Sequence, residues 1–453
     1  MDLTSITAMD LGAQLAQKKL CPVDLVEHVL QQAEASKSVF ISLTPDRARA
    51  EAVAAKERIR LGLNRSPLEG VPLAWKDLFD MAGSVTTAGS LVLSAETPAR
   101  RDAHAIYNAA AAGMVNIGKT NLSELAYSGL GLNPHYGTPE GITSKGAARA
   151  PGGSSSGSAL AVAKGVVTAA IGTDTAGSLR VPAAFNGLIS YRPSQQRHCR
   201  KGVTPLARSL DTIGVIARSL ADCIAIDDIM RCGHIQQRAP ARTASCSFVL
   251  DTSLADDSAI QPAVWENLKR TADRLQQAGY LIEERPIRAV QETLELIATT
   301  GWLGAIEAYT EYRALLENTR ADAWDARVRK RLLDAKDISA DRALRLYSER
   351  TRLIDLFTQE LQGALLITPT VAQCAPLLTP LEEDPDLFAK INLQTLRLPM
   401  VGSFLDTPAV VYPNGVDADG QFTSVQFSGG RGSDERLLSV AMGMDSALSI
   451  GQV

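Results

Sequence analysis

The feature that most constrains this chain is a run of glycine and serine, Pro151-Gly-Gly-Ser154-Ser155-Ser156-Gly157-Ser158, set inside its most apolar stretch. Glycine and serine in series ordinarily make a flexible linker. Here the run leads straight into Ala159-Leu-Ala-Val-Ala163 and then Val166–Ile171, which read as a buried small-residue helix and a buried strand piece. A linker has no reason to be embedded there. A tight loop at the head of a closely packed helix does, because glycine lets backbone N–H groups approach and point at a bound oxygen. A second small-residue segment follows the strand, Gly172-Thr-Asp174-Thr175-Ala176-Gly177-Ser178.

The surrounding pattern repeats this alternation. Val71–Trp75, Val115–Ile117 and Leu188–Tyr191 look like buried strand pieces, and Ala103–Ala112 and Ser158–Lys164 like alanine-packed helices. Together they predict an α/β layer fold with a largely buried sheet. Residues 8–60 read as helices, with Pro22 suiting a first turn and Val26, Val29, Leu30 and Ala33 forming an apolar stripe. A second α/β stretch runs from Ser247 to about Arg288, residues 291–361 are helical, and Ala364–Thr370 and Pro408–Tyr412 return to the sheet. We read one domain over 1–453, with N-terminal helices in 1–65, a core in 66–235 and a helical excursion at 291–361.

Composition removes several function classes. The 453 residues carry 46 basic and 50 acidic side chains, a net charge of −4, and this balance does not suggest a nucleic-acid binder, which needs a concentrated basic face. The densest basic run, Arg327–Arg331, reads as the solvated face of a helix. The start Met1-Asp2-Leu3-Thr4 lacks a secretory pattern, and no apolar stretch is long enough to span a membrane. Six cysteines without a C-x-x-C pair read as reduced thiols in a cytoplasmic protein, and with only five histidines no zinc cluster is expected.

The two small-residue segments resemble the defining block of the amidase signature family, G-G-S-S-G-G-S followed by G-T-D-x-G-G-S-x-R-x-P-A. The second half stands here as Gly172–Ser178 with Arg180, Pro182 and Ala183. Gly70-Val-Pro72-Leu-Ala-Trp-Lys76-Asp77 resembles the family's G-x-P-x-x-x-K-D strand, and Gly118-Lys119-Thr120-Asn121-Leu-Ser-Glu124 its G-K-T-N-x-x-E element. The resemblance implies a large mixed β-sheet covered by helices on both faces. It also implies a Ser-Ser-Lys triad of Lys76, Ser154 and Ser178, with a cis peptide before Ser154. The oxyanion hole would be the backbone of Thr175, Ala176, Gly177 and Ser178, supported by Ser155, Asp174 and Arg180. Tyr127 and Ser128 are pocket candidates by family position. The implied activity is hydrolysis of a small carboxamide without metal or cofactor. Branches acting on mandelamide or indoleacetamide, on urea-derived amides such as allophanate, and on glutamine within an amidotransferase all share these motifs. A homodimer or a small accessory subunit is compatible with them.

The chemistry is coherent without the analogy. Amide hydrolysis needs an activated nucleophile, a proton shuttle and oxyanion donors. No histidine lies within either motif, the nearest being His135 and His198, so a lysine base is the alternative. A free lysine with a pKa of ~10.4 is only about 0.1% neutral near pH ~7.4. Lowering it by roughly 3 units costs about 4 kcal/mol, which burial supplies. Lys76 follows an apolar run and precedes Leu78 and Phe79, a desolvating setting. A structural role would pair it with a carboxylate such as Asp77, but neighbours on a strand point to opposite faces.

Some features pull elsewhere. Ala176 and Ser156 stand where glycine is common, and alanine is strained if position 176 requires positive φ. Gly113-Met-Val-Asn-Ile-Gly118-Lys119-Thr120 fits the P-loop pattern, with Phe248–Asp251 as a metal-binding strand, which would make an NTPase. Its setting after an alanine-rich helix instead suggests a helix cap followed by a strand. The aromatics Trp302, Tyr309, Tyr312, Trp324 and Tyr347 read chiefly as packing. Residues 397–407 either shape specificity or are divergent packing, and Arg397 is a candidate for a substrate carboxylate or a structural ion pair.

Overall fold

The computed structural model describes residues 2–142 and 146–448. Eleven strands form one mixed sheet: β1 Phe40–Leu43, β2 Pro72–Lys76, β3 Val115–Thr120, β4 Ala169–Asp174, β5 Ile189–Arg192, β6 Thr212–Ala217, β7 Ser247–Asp251, β8 Leu281–Arg285, β9 Leu365–Pro369, β10 Ala409–Val416 and β11 Phe422–Ser428. Their order is β1-β3-β2-β4-β6-β5-β10-β11-β9-β7-β8. Six strands from the first half of the chain meet five from the second at the antiparallel β5–β10 pair, where Tyr191 faces Val410. Parallel pairing is confined to β3-β2-β4 on one side and β9-β7-β8 on the other. Every residue of β2, β3, β4 and β6 is buried, which explains why these strands read as continuous apolar runs.

The helix Ser156–Ala163 is buried from Ser156 through Val162. Its small residues permit that depth. A Cβ on Gly157 would lie 2.3 Å from the Val39 carbonyl oxygen and 2.5 Å from the Asn121 nitrogen, so only glycine fits the approach. The excursion between β8 and β9 consists of helices Arg288–Thr300, Leu303–Asn318, Ala326–Asp334 and Ala340–Leu361, close to the expected 291–361.

Three expectations are corrected. The N-terminal 8–60 stretch is not all helical: β1 lies between helices Pro22–Ala35 and Pro45–Leu61 and pairs with β3, a four-residue strand too short to set a period. The P-loop reading fails because Gly113 (φ 89°) closes a helix and Val115–Thr120 is strand, with the Lys119 Nζ buried 2.5 Å from Asp77 Oδ1. The strand Phe248–Asp251 lies across the sheet from it. Finally, the basic run is not uniformly solvated, since the Arg327 and Arg331 guanidinium groups lie over the rings of Phe388 and Tyr127. All six cysteines are free thiols, and among the described residues no helix is long and apolar enough to cross a membrane.

Candidate active site

Lys76 ends β2 and Asp174 ends the neighbouring parallel strand β4, so both side chains emerge at one edge of the sheet. The Lys76 amine is fully buried and reaches Ser154 Oγ at 2.7 Å and Thr173 Oγ1 at 2.8 Å. Burial pulls its pKa down to about 7, against the raising influence of Asp174 and Asp211. No carboxylate pairs with it among the described residues. Asp77 is matched to Lys119 instead, as the strand alternation anticipates.

Ser154 follows a cis Gly153–Ser154 peptide in the turn before helix Ser156–Ala163. The next residue ties this turn to the second segment: the Ser155 N–H donates to the Ser178 carbonyl at 3.2 Å, and Ser155 Oγ donates to the Thr173 carbonyl at 3.3 Å. Lys76 and Ser154 have no exposure, whereas Ser178 keeps 4%, so of the three it is the one open to a substrate.

The loop carrying Ser178 is shaped by a buried carboxylate. Asp174 accepts from the Gly177 N–H at 2.9 Å, the Leu179 N–H at 3.2 Å, and Arg180 Nε and Nη2, both at 3.0 Å. Arg192 Nε adds a contact at 3.3 Å. Desolvation alone would raise this carboxyl; Arg180 and Arg192 hold it well below the usual carboxylate range. One expected oxyanion donor is thereby lost: the Gly177 N–H is committed to Asp174. Gly177 serves a different purpose, with φ at 121° and a Cβ position 2.4 Å from Pro399 Cβ. Ala176 is outside the positive-φ region, so alanine there carries no such strain.

Two groups escaped the sequence reading. Thr173 holds the lysine, and strand alternation from Asp174 would have placed it on the opposite face of β4. Asp211 accepts from Thr175 Oγ1 at 2.5 Å and from the N–H groups of Leu206 and Ala207, yet only the β4–β6 pairing brings it there.

Tyr127 and Ser128 lie beside the Ser154 turn, since the Gly153 N–H donates to the Gly129 carbonyl at 2.8 Å. Both are engaged. The Arg331 guanidinium lies 4.3 Å from the Tyr127 ring centroid, and Ser128 Oγ donates to Asn392 Oδ1 at 3.1 Å. Residues 397–404 end the helix Pro385–Phe404, whose Pro399 backs Gly177 and accepts from Arg180. Arg397 pairs with Asp257, the structural alternative. Trp302 packs on Phe404, and buried Tyr312 and Trp324 donate to the Pro205 carbonyl and to Thr319, which is packing as expected, whereas Tyr347 is exposed and donates to Glu307.

Known proteins resemble this chain over most of its length. Mandelamide hydrolase of Pseudomonas putida is 30% identical over 99% of this chain and 92% of its own. A glutamyl-tRNA(Gln) amidotransferase subunit of Ralstonia nicotianae is 42% identical, but over only 49% of this chain and 44% of its own. A solved structure described as the crystal structure of amidase superposes with a TM-score of 0.86 at 27% identity, covering 98% of this chain and all of the other. The amidase family model matches residues 24–438, from the second helix into the last. Nearly the whole fold is therefore shared, and this chain belongs to the amidase family, hydrolases that act on amide C–N bonds.

Proposed function

We propose that the chain hydrolyses a small carboxamide through a seryl acyl-enzyme, with Lys76, Ser154 and Ser178 as the relay. The observation that carries this reading is a buried lysine amine bonded to two hydroxyls and no carboxylate. Such an amine is neutral at accessible pH and able to take a proton. Lys76 accepts the Ser154 proton while Ser154 accepts that of Ser178, whose Oγ bonds to the amide carbonyl carbon. The N–H groups of Thr175, Ala176 and Ser178 stabilise the oxyanion, with Gly177 and Asp174 holding the turn. Collapse breaks the C–N bond as the proton returns through Ser154 to the departing nitrogen. Water, deprotonated by the same relay, then releases the carboxylate. Ser155 and Arg180 support the loops, and Tyr127 and Ser128 form the wall beside Ser154. No metal or organic cofactor enters any step.

The full-length match to mandelamide hydrolase supports an aryl or aliphatic carboxamide as substrate. A second reading, glutamine hydrolysis within an amidotransferase, is favoured by the higher identity over half the chain to an amidotransferase component. Assaying the purified chain alone against aryl, aliphatic and urea-type amides and glutamine decides between them. Mass spectrometry of the quenched enzyme should show the acyl adduct on the peptide containing Ser178. An adduct elsewhere, such as on Ser155, would overturn the assignment.

A further inference from the structure

Beside Thr173 the fold forms an open cleft of about 530 Å³, bordered by the loop between β5 and β6. It lies on the lysine's side of the relay. Thr173, whose hydroxyl meets Lys76 Nζ, forms part of its wall together with Thr175 and Asp211, while Ser178 is not among its lining residues. Its charge is one-sided. Arg200, Lys201 and Arg208 line it against one carboxylate, Asp211, whose oxygens are already used by Thr175 and two backbone N–H groups. Arg208 is matched by Glu311. Arg200 Nη1 has only the carbonyl oxygens of Arg208 and Asp211, and neither Arg200 nor Lys201 joins an ion pair among the described residues. His198, also in the wall, is occupied by Asp227. Two cations thus share a concave space in which neither joins an ion pair and the one nearby carboxylate, Asp211, is already hydrogen-bonded, so an anion there gains charge-assisted hydrogen bonds.

We propose that this cleft binds a small carboxylate or phosphate anion through Arg200 and Lys201, and that the bound anion slows amide hydrolysis by favouring the charged form of Lys76. The second clause rests on the relay proposed above. The charges that face Lys76 are Asp174 from β4, neutralised by Arg180 and Arg192, and Asp211 from the loop before β6. On β3, Lys119 is spent on Asp77. An anion bound to Arg200 and Lys201 would cancel their positive charge and add to the pull of Asp211 on a protonated Lys76. Because hydrolysis releases a carboxylate, the site would make the product its own inhibitor, while free phosphate is the other source of the same chemistry.

The test is calorimetric titration of the full chain with inorganic phosphate and, separately, acetate, at constant ionic strength, for wild type, Arg200→Met and Lys201→Met. Arg200 also fastens its loop, whereas Lys201 is exposed, so the second variant isolates charge from folding. Either anion should bind the wild type and displace the other, and each variant should weaken binding about tenfold. If only phosphate binds, the product-inhibition part falls. Saturating anion should lower kcat/KM near pH 7 and lose its effect by about pH 9, where the amine is neutral regardless. Equal binding in wild type and both variants, or none at all, overturns the site. Binding without a change in kcat/KM at pH 7 overturns the coupling. Absence of hydrolysis before any anion is added would count against the relay, a failure that the calorimetry does not share.

Discussion

The edge of the sheet that carries Lys76 and Asp174 and the helical excursion of residues 288–361 draw on the same side chains and use them in opposite ways. At the edge, Asp174, Arg180 and Arg192 are paired with no exposure, and their other hydrogen bonds reach the backbone of the Ser178 loop, of Pro399 and of Thr407 and the side chains of Gln426 and Ser403. In the excursion, Arg320–Asp322 and Lys330–Asp334 stand in solvent at 60–85% side-chain exposure, and each joins two close positions on one short segment. The buried set fixes geometry and is costly to disturb, because a lost partner leaves a charge without water. The exposed set keeps helices solvated and is worth little. Lys76 is the exception at the edge, a basic group held without a carboxylate so that it stays close to neutral.

The contrast breaks most visibly at Ser178. Ser178→Ala should lower kcat by ~10^4-fold or more while the thermal unfolding midpoint stays near the wild-type value, because one hydroxyl is lost from a loop held by Asp174. Asp174→Asn should do the reverse in stability. It leaves Arg180 and Arg192 buried against a neutral amide, a cost of about 3–5 kcal/mol read by denaturant unfolding. A loss below about 1 kcal/mol would mean that the buried pairs are no stronger than those of the excursion.

Lys76 sharpens the comparison through pH. Its pKa, about 7 in the fold, lies below the 10.5 of a free lysine. Protonation removes the base, so kcat/KM should rise with pH through about 7 and level off above it. For stability the sign is the same. Between about 7 and 10.5 the unfolded chain binds more protons than the folded one, so wild-type stability should rise with pH across that window. Lys76→Met should flatten that rise, measured by urea unfolding at a series of pH values. An equal slope in the variant would place the titration elsewhere.

Legibility followed the range of the interaction. Lys76, Ser154 and Ser178 could be singled out because each sits in a compact local motif, and the buried strands showed as apolar runs. Thr173 and Asp211 were missed for different reasons. Thr173 stands inside the Gly172–Ser178 segment and needed only strand alternation. Asp211 meets Thr175 across 36 residues, through a strand pairing that no spacing reveals. The Gly177 N–H was misassigned because loop sequence does not say which donors an adjacent carboxylate will take. The strand Phe40–Leu43 has four half-buried residues, too few for a period against two flanking helices.

The smallest effects test whether the excursion is uniform. Lys330 and Arg331 are adjacent in the basic run, yet helix geometry turns them to different faces. Lys330 reaches Asp334 one turn on, whereas Arg331 covers the Tyr127 ring and donates to its carbonyl, beside the Ser154 turn. Arg331→Ala should therefore cost about 1 kcal/mol, from the lost cation–π and hydrogen-bond contacts, and raise KM by loosening Tyr127. Lys330→Ala should cost under about 0.5 kcal/mol and leave KM unchanged, as expected of a surface pair one helical turn apart. Thermal unfolding and steady-state kinetics of the two single variants, compared side by side, make the measurement. Equal effects would show that the excursion meets the Ser154 turn as a featureless solvated surface. Unequal ones would locate the contact by which it supports the site.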